Sequence, residues 1–309
     1  MFDRGIKDQK FLDALKSWPR WSQIVGDKDL FIAMRKKTVN VYYQGCSLFE
    51  ISYNGGLQLK THFKYLVRPQ VGPAKSYVSW KDDRPDIGQH PEDYFIGGFD
   101  IESLKKACSS YAEPEKKGVH EILKSNSNVI DVEIGLSEDP EGEVASEEGK
   151  GKGRRGADRI DFAAIQERDR VPCIAFFEAK RFANKELRAE GRNPAVFEQI
   201  NRYEKFIKAH LTEFEASYRE VCQNLVALNA DRGNELVQRV AQNPEQLKVD
   251  SAVRLVVFDF DEDQRDGKVW RKHHQALLNR LGKERLLLKG SADEFTSGIS
   301  KYKSRKVAA

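Results

Sequence analysis

The sequence is poor in the features that would place it quickly. Its 309 residues hold four cysteines, Cys46, Cys108, Cys173 and Cys222, and no two of them form a Cys-x-x-Cys pair. That excludes a zinc ribbon and a thioredoxin-type motif. So few thiols at this length also speak against a disulfide framework and for the reduced thiols of a cytoplasmic protein. No apolar run approaches the ~18 residues of a membrane span. The first ten residues are polar and charged, unlike a secretory leader. No G-x-x-x-x-G-K-[ST] occurs, so the chain brings no P-loop ATPase of its own, and no internal repeat stands out. Charge of either sign is not in large excess: 52 Lys and Arg oppose 48 Asp and Glu, a net +4. That balance permits an anionic partner without demanding one.

What is present suits a folded chain. Hydrophobic residues make up 39%, aromatics 10% and charged residues 32%, enough apolar content to argue against disorder throughout. Residues 7–17 carry Phe11, Leu12, Leu15 and Trp18 on one helical face. Leu30 to Met34, Val39 to Tyr43, Leu48 to Tyr53 and Leu57 to His62 are β-prone, and Asn54-Gly55 predicts a tight turn between the last two. Pro69, Pro73, Pro85 and Pro91 mark 68–98 as an irregular connector. The reading is therefore two domains: 1–98, a helix, an antiparallel meander and a connector, and 99–309.

The second part opens with helix over 100–125. Leu104, Cys108, Tyr111, Glu115, Val119 and Ile122 lie on one stripe, interrupted at Pro114, which can start a second helix. Val129 to Leu136 alternates like a strand. Residues 137–156, acidic then basic and rich in glycine, predict a mobile loop whose basic end, Arg154 and Arg155, would lie near any site carried by the next strand. Arg159 to Ile165 and Val171 to Glu178 read as a hairpin. Helix follows over Pro194 to Leu211 and on to about Ala241, then a strand at Val253 to Phe258, a helix at Trp270 to Leu281 and a short strand at Arg285 to Leu288. Helices covering a mixed sheet account for this order.

Chemistry concentrates in the hairpin. Asp161 sits within one apolar strand and Glu178 ends the next, so pairing brings both carboxylates to one end of the sheet. Glu178 and Lys180, two apart, share a face. Two carboxylates and an ammonium are costly to bury together without purpose. A hard divalent cation, Mg²⁺ or Mn²⁺, would balance the carboxylates. The Ala179 carbonyl can add a ligand, and Lys180 can orient or deprotonate an attacking water. These are the parts of metal-assisted phosphodiester hydrolysis. [Asp/Glu]-x-Lys also occurs at Asp8, Glu115, Glu148 and Asp266, but only Glu178-Ala179-Lys180 closes an apolar strand with a second acid in the strand before it.

With these residues the chain resembles the PD-(D/E)XK nuclease superfamily over about residues 114–260. Asp161 corresponds to the motif Asp, preceded here by Ile160 rather than proline, and Glu178-Ala179-Lys180 to the (D/E)xK. Gln199-Ile200-Asn201-Arg202-Tyr203 is similar to the Q-x-x-x-Y motif of the RecB-like branch. The resemblance implies a restriction-endonuclease-like αβββαβ core. It also implies Mg²⁺-dependent or Mn²⁺-dependent cleavage of DNA, with Asp161, Glu178 and Ala179 holding metal and Lys180 positioning water. Gln199 and Tyr203 would shape the site or hold substrate. The family often adds a Glu from the first helix. Glu115, on the apolar stripe, is chosen over Glu121, which falls with Gly118 and Lys124 on the polar side. Lys185, Arg188 and Arg202, with Arg154 and Arg155, are the candidate phosphate contacts, though a solvated face accounts for any one of them equally well. His273-His274 reads as an exposed helix pair. The rival reading is a catalytically silent nucleic-acid-binding or interaction subunit of a repair or defence complex. A nuclease working with a partner such as a helicase stays open.

Overall fold

The protein is described from a computed structural model over residues 2–66, 77–81, 83–86, 99–136, 158–189 and 193–290. Two sheets organise it. Helix α1 (Gln9–Ser17) starts where the Asp8 carboxylate accepts the Lys10 N–H, and it buries Phe11, Leu12 and Leu15. A second short helix, α2 (Trp21–Gly26), buries Trp21 and Ile24. It was missed in the sequence because six residues are too few to display a period.

The predicted meander is present as β1 (Phe31–Arg35), β2 (Thr38–Tyr43), β3 (Cys46–Tyr53) and β4 (Leu57–His62). It then continues. β5 (Tyr77–Lys81) and β6 (Arg84–Pro85) add two antiparallel strands, giving a six-stranded sheet in sequence order. The connector expected over 68–98 is thus corrected in part. The alternation of Val78 and Trp80 outweighs the prolines nearby, and Pro85 is tolerated because it lies on an edge strand.

Helices α3 (Ile101–Ser109) and α4 (Pro114–Ser125) are separate, with Pro114 in the first turn of α4. Tyr111 falls between them and is exposed, so it leaves the predicted stripe. The second sheet holds β7 (Val129–Gly135), β8 (Arg159–Arg168), β9 (Val171–Arg181), β10 (Lys248–Phe258) and β11 (Leu286–Leu288) in the order β11-β10-β9-β8-β7. The first three are antiparallel neighbours, while β10 runs parallel to β9 and β11 parallel to β10. A two-residue turn, Asp169-Arg170, joins β8 to β9 with positive φ at both positions. That is the backbone a tight hairpin with right-twisted strands requires. The crossover from β9 to β10 contains α5 (Val196–Ala209), α6 (Leu211–Ala227) and α7 (Glu235–Gln242). Helices α8 (Glu262–Asp266) and α9 (Lys268–Leu281) lead to β11.

The sheet is covered on both faces, as its near-continuous apolar strands demand. On one face Val119, Ile122 and Leu123 of α4 cluster with Val132, Phe162, Phe177 and Phe258. On the other, Tyr203 and Ile207 of α5 and Phe214 and Tyr218 of α6 join Ile174, Phe176, Val253 and Leu255, in an apolar cluster that runs on into the N-terminal sheet. Gly118 belongs to the first face rather than the polar side. A Cβ there would stand 2.1 Å from the Phe258 ring, so only glycine lets α4 come this close. The two sheets are also tied by charge. Arg35 of β1 donates to the Asp131 carboxylate and the Val132 carbonyl of β7, both at 2.6 Å. No helix among the described residues is long and apolar enough to cross a membrane.

Candidate active site

Strands β8 and β9 pair from Arg168–Val171 at the turn to Phe162–Phe177. One step beyond, where the ladder stops, Asp161 and Glu178 stand beside each other. Strand β9 does not end at Glu178 as the sequence suggested. It runs on to Arg181 because β10 continues to pair with it. The result is a fork: β9 stays in register with β10 while β8 leaves it, and the carboxylates sit at the opening. The Ala179 N–H, released from the ladder, donates to Asp161 Oδ2 at 2.7 Å. In a strand the N–H and C=O of one residue point to the same side, so the Ala179 carbonyl opens toward Asp161 as well.

The electrostatics are those of buried like charges. Glu178 is 1% exposed and Lys180 7%. The Lys180 ammonium lies 2.8 Å from Glu178 Oε1 and 2.9 Å from Glu186 Oε2. The other oxygen, Glu178 Oε2, is buried with no hydrogen-bond partner. Burial, then the Asp161 charge, pushes Glu178 well above the ordinary carboxylate range. Burial also lifts Asp161 to about 7, against the pull of Lys180 and the Ala179 N–H, with Glu133 and Glu115 adding to the rise. Lys180 is opposed by burial, yet Glu178 and Asp161 together hold it above the usual lysine value. It is therefore an ammonium, a donor and a positive charge rather than a base.

Glu115, in the first turn of α4, reaches the same end of β9. Its Oε2 accepts the Arg181 N–H at 3.2 Å and the Asn184 side-chain amide at 3.0 Å. Glu121 instead pairs with Lys124 at 3.7 Å on the outside of the helix. Tyr203 is wholly buried. Its hydroxyl donates to the Arg159 carbonyl and accepts from the Gln199 amide, each at 2.5 Å. Gln199 and Tyr203 are thus joined to each other and to the strand that carries Asp161, two residues beyond Arg159.

The comparisons return nothing: no family model, curated protein or solved structure matches the chain.

The basic candidates are scattered in role. Arg202 forks onto Asp158 at 2.7 and 3.0 Å. Arg188 lies over the Phe182 and Trp270 rings and donates to the Phe182 carbonyl at 2.7 Å. Lys185 is exposed on the turn after β9. Arg154 and Arg155 lie outside the described residues. His273 corrects its expectation: it is 3% exposed, and its Nδ1 accepts the Ala189 N–H at 2.9 Å. Trp270, Leu277 and Leu281 make the buried face of α9, and the spacing of three from Trp270 places His273 on it. Two acids near the site escaped the sequence reading. Glu186 was absorbed into a basic stretch, and Glu133 looked like an ordinary alternating strand position.

The donor set suits a hard divalent cation: carboxylate oxygens, a backbone carbonyl and one buried oxygen without a partner. Among the described residues no three His, Cys, Asp or Glu side chains yet converge as a ready group of ligands.

Proposed function

We propose that the chain is a divalent-metal-dependent nuclease of the PD-(D/E)XK type, acting on DNA with Mg²⁺ or Mn²⁺. The observation that carries this reading is the buried, half-unpartnered Glu178 beside Asp161 at the fork. A buried carboxylate oxygen without a donor costs on the order of 1–3 kcal/mol or more. Beside a second carboxylate it is a liability unless a cation is its partner. The succession α4, β7, β8, β9, α5, β10 supports the αβββαβ restriction-endonuclease-like core.

Asp161, Glu178 and the Ala179 carbonyl would hold the cation, with Glu115 assisting. When bound, such an ion stabilises charge developing on a phosphoryl oxygen and sharpens a water as nucleophile. The chain's own residues do the rest. Lys180, as an ammonium, donates to the attacking water or to a non-bridging phosphate oxygen and orients it for in-line attack. The Ala179 N–H fixes the Asp161 carboxylate. Tyr203 and Gln199 position β8 through the Arg159 carbonyl. Lys185, Arg154 and Arg155 are the proposed backbone contacts. Arg188 and Arg202 would have to exchange their present partners to join them.

One observation favours the rival reading of a silent nucleic-acid-binding or interaction subunit: Lys180 is already shared between Glu178 and Glu186. A cleavage assay separates the two. Linear, circular and single-stranded DNA are incubated with Mg²⁺, Mn²⁺ or EDTA. Cleavage that needs the metal and is lost in Asp161→Ala and Lys180→Ala, both still folded, supports the nuclease. Metal-independent binding without cleavage supports the rival.

A further inference from the structure

Glu133 holds an unusual place. In the β7–β8 ladder Val132 pairs with Phe162 and Ile134 with Ile160, so Glu133 stands opposite Asp161. Directly opposed residues on adjacent antiparallel strands keep their Cβ atoms within about 5.5 Å. Both strands also change face across this pair. Val132 and Phe162 pack under α4, whereas Ile134 and Ile160 belong to the other layer. The change coincides with a backbone φ of 51° at Glu133, in the left-handed region. A long side chain there costs roughly 1–2 kcal/mol. A strand with nothing but packing to satisfy would carry glycine or asparagine at this position.

The carboxylate is not idle. Its Oε2 lies 3.6 Å from the Arg159 guanidinium, with Glu133 19% exposed. Its charge reaches Asp161 and adds to the burden on that group. The same corner contains the unpartnered Glu178 oxygen. Three carboxylates, two of them opposed across one ladder and two across the fork, therefore surround Asp161 with negative charge. Lys180 and Arg159 are the cations beside them.

We propose that Glu133 is a further carboxylate of the cation site, working with Asp161 and Glu178, and that its left-handed backbone is what presents it there. The proposal rests on the metal-dependent reading above. Arg159 is then the counter-charge Glu133 keeps when no cation is held. A Glu on the first strand of the sheet supplies negative charge from the side opposite to Glu115, so the two acids are not redundant.

The test is Mn²⁺ binding to the full chain, by calorimetric titration and by the loss of the free-ion EPR signal, with melting temperature in EDTA as a check on folding. Wild type, Asp161→Asn, Glu133→Gln and Glu133→Gly are compared, with Glu167→Gln as a control acid on the same hairpin. Glu133→Gly relieves the left-handed backbone, so it stays folded even if glutamine does not. The expected result is Mn²⁺ binding in wild type and Glu167→Gln, loss in Asp161→Asn, and weakening by about 10-fold or more in both Glu133 variants, with no fall in melting temperature for Glu133→Gly. Wild-type affinity in both Glu133 variants, with binding lost in Asp161→Asn, overturns the assignment of Glu133 and leaves the nuclease reading standing. No Mn²⁺ binding and no cleavage by wild type overturns both.

Discussion

Replacing Asp161 by asparagine should make the metal-free protein more stable, the opposite of what most substitutions at half-buried positions do. Folding moves this carboxyl from 3.8 to about 7. The sign follows from proton binding. Between about pH 4 and pH 7 the native state holds a proton that the unfolded chain has released, so stability falls as pH rises through that window. Above it the full cost of an ionised Asp161 is present. Taken whole, that cost is about 4 kcal/mol at pH 8. Partial solvent access reduces it, and ~2 kcal/mol is the working magnitude. Asparagine removes the charge and keeps an oxygen to accept the Ala179 N–H, now bound at 2.7 Å. Melting temperatures in EDTA at pH 8 should therefore rise by a few degrees in Asp161→Asn. The gain should shrink toward zero near pH 4. Adding Mg²⁺ should reverse the order. At ten times its dissociation constant a cation stabilises wild type by about 1.4 kcal/mol and the variant not at all. The variant should not cleave. An Asp161→Asn protein that melts at or below wild type at pH 8 in EDTA, with no pH dependence of the difference, would refute the claim that this carboxylate is held against its own electrostatics.

Three other outcomes can be measured with the same preparations. Tyr203→Phe should lose about 1–2 kcal/mol of stability, since the Arg159 carbonyl and Gln199 lose their buried partner, and should cut turnover; unchanged specific activity in the folded variant would make Tyr203 a packing residue alone. Glu115→Gln should lower turnover and cost about 1 kcal/mol by weakening the acceptor for Arg181 and Asn184, while Glu121→Gln, at a solvent-facing pair, should stay within ~0.5 kcal/mol of wild type with full activity; equal behaviour of the two contradicts the placement of α4. Gly118→Ala should destabilise by about 1–3 kcal/mol in a urea melt, because the added methyl meets the Phe258 ring; a neutral result would mean α4 can lift off the sheet without cost.

Much of the architecture was legible in residue order, because it rests on periodicity. Phe11, Leu12 and Leu15, the alternating strands of the meander, Pro114 as a helix start and the apolar runs on either side of Asp169-Arg170 are local signals, and local sterics and burial decide them. Asp161, Glu178 and Lys180 were also legible, since an acid inside an apolar strand is costly wherever the strand goes. Tertiary structure decided the rest. Strand β9 passes Glu178 because β10 pairs with it there, and β10 lies some 70 residues further along the chain. Gly118 became a packing residue only when Phe258 arrived against it. His273 went inside because α9 turns that face to Ala189, and Arg188 and Arg202 found aromatic rings and Asp158 that no spacing rule announces. Glu133 is the extreme case. By alternation it is an ordinary strand glutamate, and only a left-handed backbone opposite Asp161 sets it apart. Periodicity reports which face of one element is apolar. Which charges meet, and at what cost, is a property of the elements brought together.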